Sequence, residues 1–129
     1  MICTAVNSVQ SFENIEAKWV AEISVVQTAP MVLVLTKKDL VPYLEEAETE
    51  HITEQMVRDK AQELNFTDVA ITSSKDWRDY NVHKAFDSAI QSAYFHKYNE
   101  DLWLGLKGFT NQILLHLEQK LEHDLALSF

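Results

Sequence analysis

The sequence predicts an α/β domain with three parallel strands, flanking helices and an extra C-terminal amphipathic helix. Three observations lead there. Met31-Val32-Leu33-Val34-Leu35 is a short apolar run, uninterrupted by polar residues, that ends at Thr36; this is the pattern of a strand covered on both faces of a parallel sheet. Met1 to Val6 and Asp68 to Thr72 are two more short runs of strand character, each closed by turn-forming residues. Between and after them lie stretches whose apolar residues recur every three or four positions, the spacing of one helix face. Strand, helix and parallel strand make a right-handed crossover. In such sheets ligands lie beyond the carboxyl ends of strands, which is where Thr36, Lys37 and Asp39 fall.

Composition narrows the functional classes. A chain of 129 residues with 47% hydrophobic content has the length of one domain and the material for a core. Its 20 acidic residues against 11 basic ones give a formal net charge of -9, which argues against nucleic acid or an anionic membrane as the main partner. Cys3 is the sole cysteine, so the chain forms no internal disulfide, in keeping with a reducing compartment and a cytoplasmic location. No stretch reaches the roughly 18 apolar residues of a membrane span. The two glycines, Gly105 and Gly108, belong to no phosphate-cradling pattern, so these residues contain no phosphate loop.

Taken in order, the first strand is already under way at residue 1 and ends at Asn7-Ser8. Cys3 within it is expected to be a small buried hydrophobe. Ser11 is an eligible N-cap, followed by a helix whose inner face carries Phe12, Ile15, Trp19 and Ile23. Gln27-Thr28-Ala29-Pro30 is a loop into the second strand, and the acidic run Leu44 to Glu50 is a surface insertion with a short helix. Thr53 is expected to cap a helix through Leu64, with Val57, Ala61 and Leu64 inward. After the third strand come Ser73-Ser74-Lys75, and from about Asn81 to Tyr98 a helix with Val82, Phe86, Ala89, Ile90 and Ala93 as its buried stripe. Trp77, Tyr80, Tyr94, Phe95 and Tyr98 are expected to pack in or near the core. From Asp101 to Phe129, the residues Leu102, Leu106, Phe109, Ile113, Leu117 and Leu121 form one apolar stripe, which must be buried against the body, another chain or, least of all with such an acidic polar side, lipid. The ending Leu-Ser-Phe carries no prenylation motif. The five histidines show no metal-ligand spacing.

A Lys-Lys-Asp turn alone is an ordinary solvated turn. Its context is more specific. A T-K-x-D turn after the second strand, an S-S-K turn after the third, and the intervening helices together resemble the C-terminal half of a Ras-superfamily small GTPase. Ser11-Phe12-Glu13-Asn14-Ile15, Lys18-Trp19-Val20, Pro30 to Val34 and Lys37-Lys38-Asp39-Leu40 resemble the Rho branch in particular. The resemblance covers residues 1 to 98, leaving 99 to 129 as a helical extension, and implies a fold of G-domain half: an incomplete three-layer sheet-and-helix domain. It implies guanine recognition by Thr36, Lys37, Asp39, Ser73, Ser74 and Lys75. Asp39 would accept the guanine N1–H and exocyclic amine, a bidentate geometry that adenine does not offer. Lys37 would lay its aliphatic stem on the base, a main-chain N–H of the S-S-K turn would reach the guanine carbonyl, and Lys75 would pack on the base.

The chain departs from the family pattern at Thr36, where Asn is usual, at Ser74, where Ala is usual, and at Leu35, where Gly is common and a larger side chain is expected to crowd the strand end. The segment Asp76 to Asn81 is longer than its counterpart. The phosphate loop, both switch segments, the magnesium ligands and the residue that orients the attacking water would all precede residue 1. Phosphoryl transfer depends on positioning and charge stabilisation by those parts, so GTP hydrolysis by this chain alone is not expected and binding of GTP or GDP is expected to be weak. The strand Met1 to Val6 becomes a sheet edge, which a second copy, a protein partner or the C-terminal helix is expected to cover. Two functions follow: a truncated Rho-like small GTPase homologue that keeps base recognition, or a nucleotide-independent interaction module. Coding sequence upstream of Met1 with an in-frame phosphate loop would instead make the chain part of a full GTPase.

Overall fold

The computed structural model describes residues 1–26, 29–76 and 78–127, with the backbone alone at Trp103. Three parallel strands form its sheet: β1 (Ile2–Ala5), β2 (Val32–Thr36) and β3 (Asp68–Ile71), in the order β1-β2-β3. Leu33 lies opposite Ile2 and Val69, and Leu35 opposite Thr4 and Ile71. The central strand is buried along Val32 to Leu35, as an apolar run without alternation requires. This α/β architecture, a parallel three-stranded sheet flanked by helices with a long C-terminal helix, is the one that the sequence predicts and agrees with part of a G domain.

The chain leaves β1 through a turn and enters α1 (Val9–Asn14), a π-helical turn (Ile15–Val20) and α2 (Ala21–Val26). Ser8, not Ser11, caps this segment: its Oγ accepts the Ser11 N–H at 3.2 Å. Ser11 instead lies in the first turn and ties the helix to β1, accepting the Ala5 N–H at 3.0 Å and bonding Thr4 Oγ1 at 2.9 Å. The π-turn moves the inner face by one residue, because its hydrogen bonds span five residues and not four. Ile15 is fully buried, Val20 and Ile23 pack on the same core, and Trp19 is turned outward, 40% exposed, under the Lys18 ammonium at 4.7 Å.

After β2 a 3-10 turn (Lys38–Leu40) leads into α3 (Val41–Glu46), whose first turn holds Pro42, where a missing N–H costs nothing. Thr53 Oγ1 accepts the Met56 N–H at 3.2 Å and starts α4 (Glu54–Glu63). Val57 and Ala61 are buried, and Leu64 packs partly against the same core. That core lies on one face of the sheet and joins Ile2, Val6, Ile15, Leu33, Leu35 and Ile52. Leu35 is therefore part of the packing, 2% exposed, where the sequence suggested crowding at the strand end.

The other face is covered by α5 (Tyr80–Leu127) through small residues. Ala85 and Ala89 pack on Val32, Val34 and Ala70. Phe86 and Ile90, expected in the buried stripe, are 54% and 66% exposed. Two polar anchors explain the choice of face: Ser88 Oγ donates to Asp68 Oδ2, and Ser92 Oγ bonds Thr67 Oγ1 at 3.2 Å. Cys3, which points to this second face, is exposed and not buried. Tyr80, Tyr94, Phe95 and Tyr98 are likewise exposed, against the expected core packing, while Trp77 and the loop residues Gln27 and Thr28 lie outside the described residues.

Two compact units divide the chain, Met1–Tyr94 and Phe95–Phe129. The described part of the second unit is helical throughout. No helix break occurs near Asp101: the segment contains no proline, and His96–Glu100 and Lys97–Asp101 pair four residues apart, at 3.4 and 3.0 Å. Among the described residues no helix is long and apolar enough to cross a membrane.

Candidate functional site

The carboxyl ends of β2 and β3 lie side by side, so their polar turns meet. The Thr72 N–H donates to the Leu35 carbonyl at 2.7 Å, and the Lys38 N–H donates to the Thr72 carbonyl at 3.0 Å. Main-chain bonds thus clamp the two turns together before any side chain is counted. Lys37 takes a left-handed backbone, φ 61° and ψ 34°, at a cost of about 1–2 kcal/mol for a residue with a Cβ. That conformation reverses the chain directly after the strand and closes a bond from the Leu40 N–H to the Lys37 carbonyl at 3.0 Å.

Asp39 and Ser73 are joined across the two turns. Ser73, buried, donates from Oγ to Asp39 Oδ1 at 2.6 Å and accepts the Lys75 N–H at 3.3 Å. The other carboxylate oxygen of Asp39 has no hydrogen bond among the described residues. Asp79 completes the network: its Oδ2 accepts the Ser73 N–H at 2.9 Å and pairs with Lys38 Nζ at 3.0 Å, and its Oδ1 accepts the Asn81 N–H at 3.0 Å. The last contact caps α5, since Asp79 directly precedes Tyr80. Above all the Ser73 N–H, and then the Lys38 ammonium and the Asn81 N–H, hold the Asp79 carboxyl down at about 2 against the opposing effect of burial.

A cavity of about 340 Å³ opens between the turns, lined by Lys38, Asp39, Ser73, Lys75, Asp76 and Asp79. Its size falls in the range of roughly 300–1,000 Å³ typical of small-molecule sites. Of the six residues singled out in the sequence, Asp39, Ser73 and Lys75 line it. Thr36 points elsewhere, donating from Oγ1 to the Thr4 carbonyl at 3.1 Å; Lys37 and Ser74 are exposed and outside the lining. Lys38, Asp76 and Asp79 line it without having been picked out. A signal for Asp79 existed in the sequence, an Asp just before the apolar periodicity of a helix, which is an N-cap position. A larger cavity of about 510 Å³ shares Lys38 and Asp39 but is otherwise walled mainly by Val6, Leu35, Ile52, Val41 and Ile71.

Comparison with known families matches residues 1–95 to the Ras family. The chain belongs to the Ras family. A search of curated proteins finds no match. Ras-family proteins in general bind guanine nucleotides together with magnesium, and the fold described above fits a small GTPase-like relation. Among the described residues, no group of three or more His, Cys, Asp or Glu is arranged to hold a metal ion.

Proposed function

We propose that this chain is a Rho-like, cytoplasmic small GTPase homologue that recognises the guanine base and does not hydrolyse GTP by itself. The observation that carries this reading is the Asp39 carboxylate, fixed on one oxygen by Ser73 at 2.6 Å and lining the 340 Å³ cavity. A carboxylate oxygen accepts more than one hydrogen bond, so Asp39 retains the capacity for the paired N–H donors of guanine. Lys75 borders the same cavity, and Lys37, exposed and next in sequence to the cavity-lining Lys38, supplies an aliphatic stem for the base. Thr36 and Ser74 complete the set assigned to guanine. The Rho-like blocks at Ser11 to Ile15 and Lys37 to Leu40 support placement in that branch. No phosphate-loop glycine pattern occurs in the 129 residues, so affinity rests on the base.

Titration calorimetry with GDP, GTP and ADP tests this. Weak heats are expected for both guanine nucleotides, equal within error because the phosphates add little, and none for ADP. No heat from GDP or GTP at millimolar concentration overturns the proposal.

A second reading is favoured by a different observation. In the segment from residue 99 onward, Leu102, Leu106, Phe109, Ile113, Leu117 and Leu121 share one stripe and are 44–66% exposed. A stripe of that length is the signature of an interaction surface. The helix 102–125 then acts as a protein-binding module, with self-association as its simplest form; the edge strand at Met1–Val6 is a further surface for pairing. Sedimentation velocity is expected to show concentration-dependent association that Phe109→Glu with Ile113→Glu abolishes without loss of helix content. A wild-type chain that stays monomeric at every concentration contradicts self-association.

A further inference from the structure

Asp79 comes from the segment Asp76 to Asn81, longer than its counterpart in the small GTPases that the chain resembles, and it has the best-connected side chain at the site. It is 9% exposed, and both of its oxygens are engaged. One oxygen holds the main chain of the S-S-K turn through the Ser73 N–H and, at the same time, the Lys38 ammonium of the T-K-K-D turn. The same Ser73 holds Asp39 through its hydroxyl. A continuous path therefore runs from the start of α5, through Asp79 and Ser73, to the carboxylate assigned to guanine. We propose that Asp79 is a positioning residue of the base site, fixing the Ser73 backbone and the Lys38 side chain so that Ser73 aims the Asp39 carboxylate into the cavity.

The chemistry sets what each contact contributes. Hydrogen bonds from a main-chain N–H to a carboxylate are stronger than neutral ones and directional, so the Ser73 contact fixes the peptide plane. The Lys38 pair balances charge in a cavity where Asp39, Asp76 and Asp79 stand against Lys38 and Lys75. Without that pairing, the carboxylates of Asp39 and Asp79 repel each other across Ser73. Asp79→Asn is the informative change. The amide keeps one acceptor oxygen and so can still cap α5 at Asn81, but it cannot hold the Ser73 N–H with a second oxygen or pair with a cation. Lys38→Met removes only the ion pair.

This inference rests on the guanine reading, and two readouts separate their fates. The first needs no ligand: amide hydrogen exchange of Ser73. Its protection is expected to fall about ten- to a hundredfold in Asp79→Asn, the loss of a hydrogen bond to a charged group, and to stay near wild type in Lys38→Met. The second is the ratio of affinities for guanosine and inosine, which differ by the exocyclic amine that Asp39 would accept. The wild type is expected to prefer guanosine, and Asp79→Asn to narrow that preference by about tenfold while far-UV circular dichroism stays unchanged. A purely structural role would lower the melting temperature and leave the ratio alone. Wild-type discrimination that survives intact in Asp79→Asn, with Ser73 still protected, overturns the positioning role and spares the guanine reading. Absence of guanosine binding in the wild type overturns both the guanine reading and the positioning role that depends on it.

Discussion

Asp79 shows how one carboxyl links stability, pH and geometry. Its folded value of about 2 lies below its ordinary 3.8, because the ionised form is held by the Ser73 N–H, Lys38 and the Asn81 N–H. A lowered carboxyl stabilises the fold above the unfolded value, and that contribution disappears as pH falls from about 3.8 through about 2. Denaturation by urea at a series of pH values is expected to show a loss of stability across this window that is reduced in Asp79→Asn. Leu35 offers a second test at this scale. It is 2% exposed and belongs to the core with Val6, Ile52 and Val57. Leu35→Ala is expected to cost about 2–5 kcal/mol in chemical denaturation, the ordinary cost of a buried cavity. A cost below 1 kcal/mol would mean that the side chain merely fills space at a loose strand end.

At the scale of elements, some features were legible in the residues and others were decided by contacts the sequence does not display. β2 announces itself by five apolar residues in a row, and α4 by Thr53 followed by Val57 and Ala61, because burial on both strand faces and N-capping leave marks in local sequence. The π-turn at Ile15–Val20 leaves none. Trp19 fits a regular helical spacing from Ile15, and only an extra residue in the turn brings Val20 inward in its place. The orientation of α5 was hidden for another reason. Val82, Phe86, Ala89 and Ile90 read as an apolar stripe, yet alanine and serine allow α5 a close approach to Val32, Val34 and Ala70, and Asp68 and Thr67 offer hydrogen bonds to Ser88 and Ser92. A hydrophobicity count weights phenylalanine above serine and misses this. Ser11 reads as the cap, but it is drawn into the Thr4–Ala5 contact, and Ser8 from the preceding turn caps the helix in its place.

For the molecule as a whole, the candidate site was half legible. Asp39, Ser73 and Lys75 came from turn residues at strand ends matched in order along the chain, and the sheet brings those two ends together. Asp79 came from a segment longer than its familial counterpart, and only the fold makes Ser73 and Lys38 converge on it. The formal net charge of -9 disfavours polyanionic partners, while the exposed apolar stripe from Leu102 to Leu121 is the surface we propose for protein association. In the function we propose, the cavity reads guanine through the Asp39 carboxylate. Asparagine at that position replaces one acceptor by a donor, which suits a base with a carbonyl where guanine has its exocyclic amine. The most direct measurement is therefore competitive binding of GDP and xanthosine diphosphate to the wild type and to Asp39→Asn. The wild type is expected to prefer GDP and the variant xanthosine diphosphate, with the fold unchanged. The same preference in both proteins, or no binding by either, would contradict it.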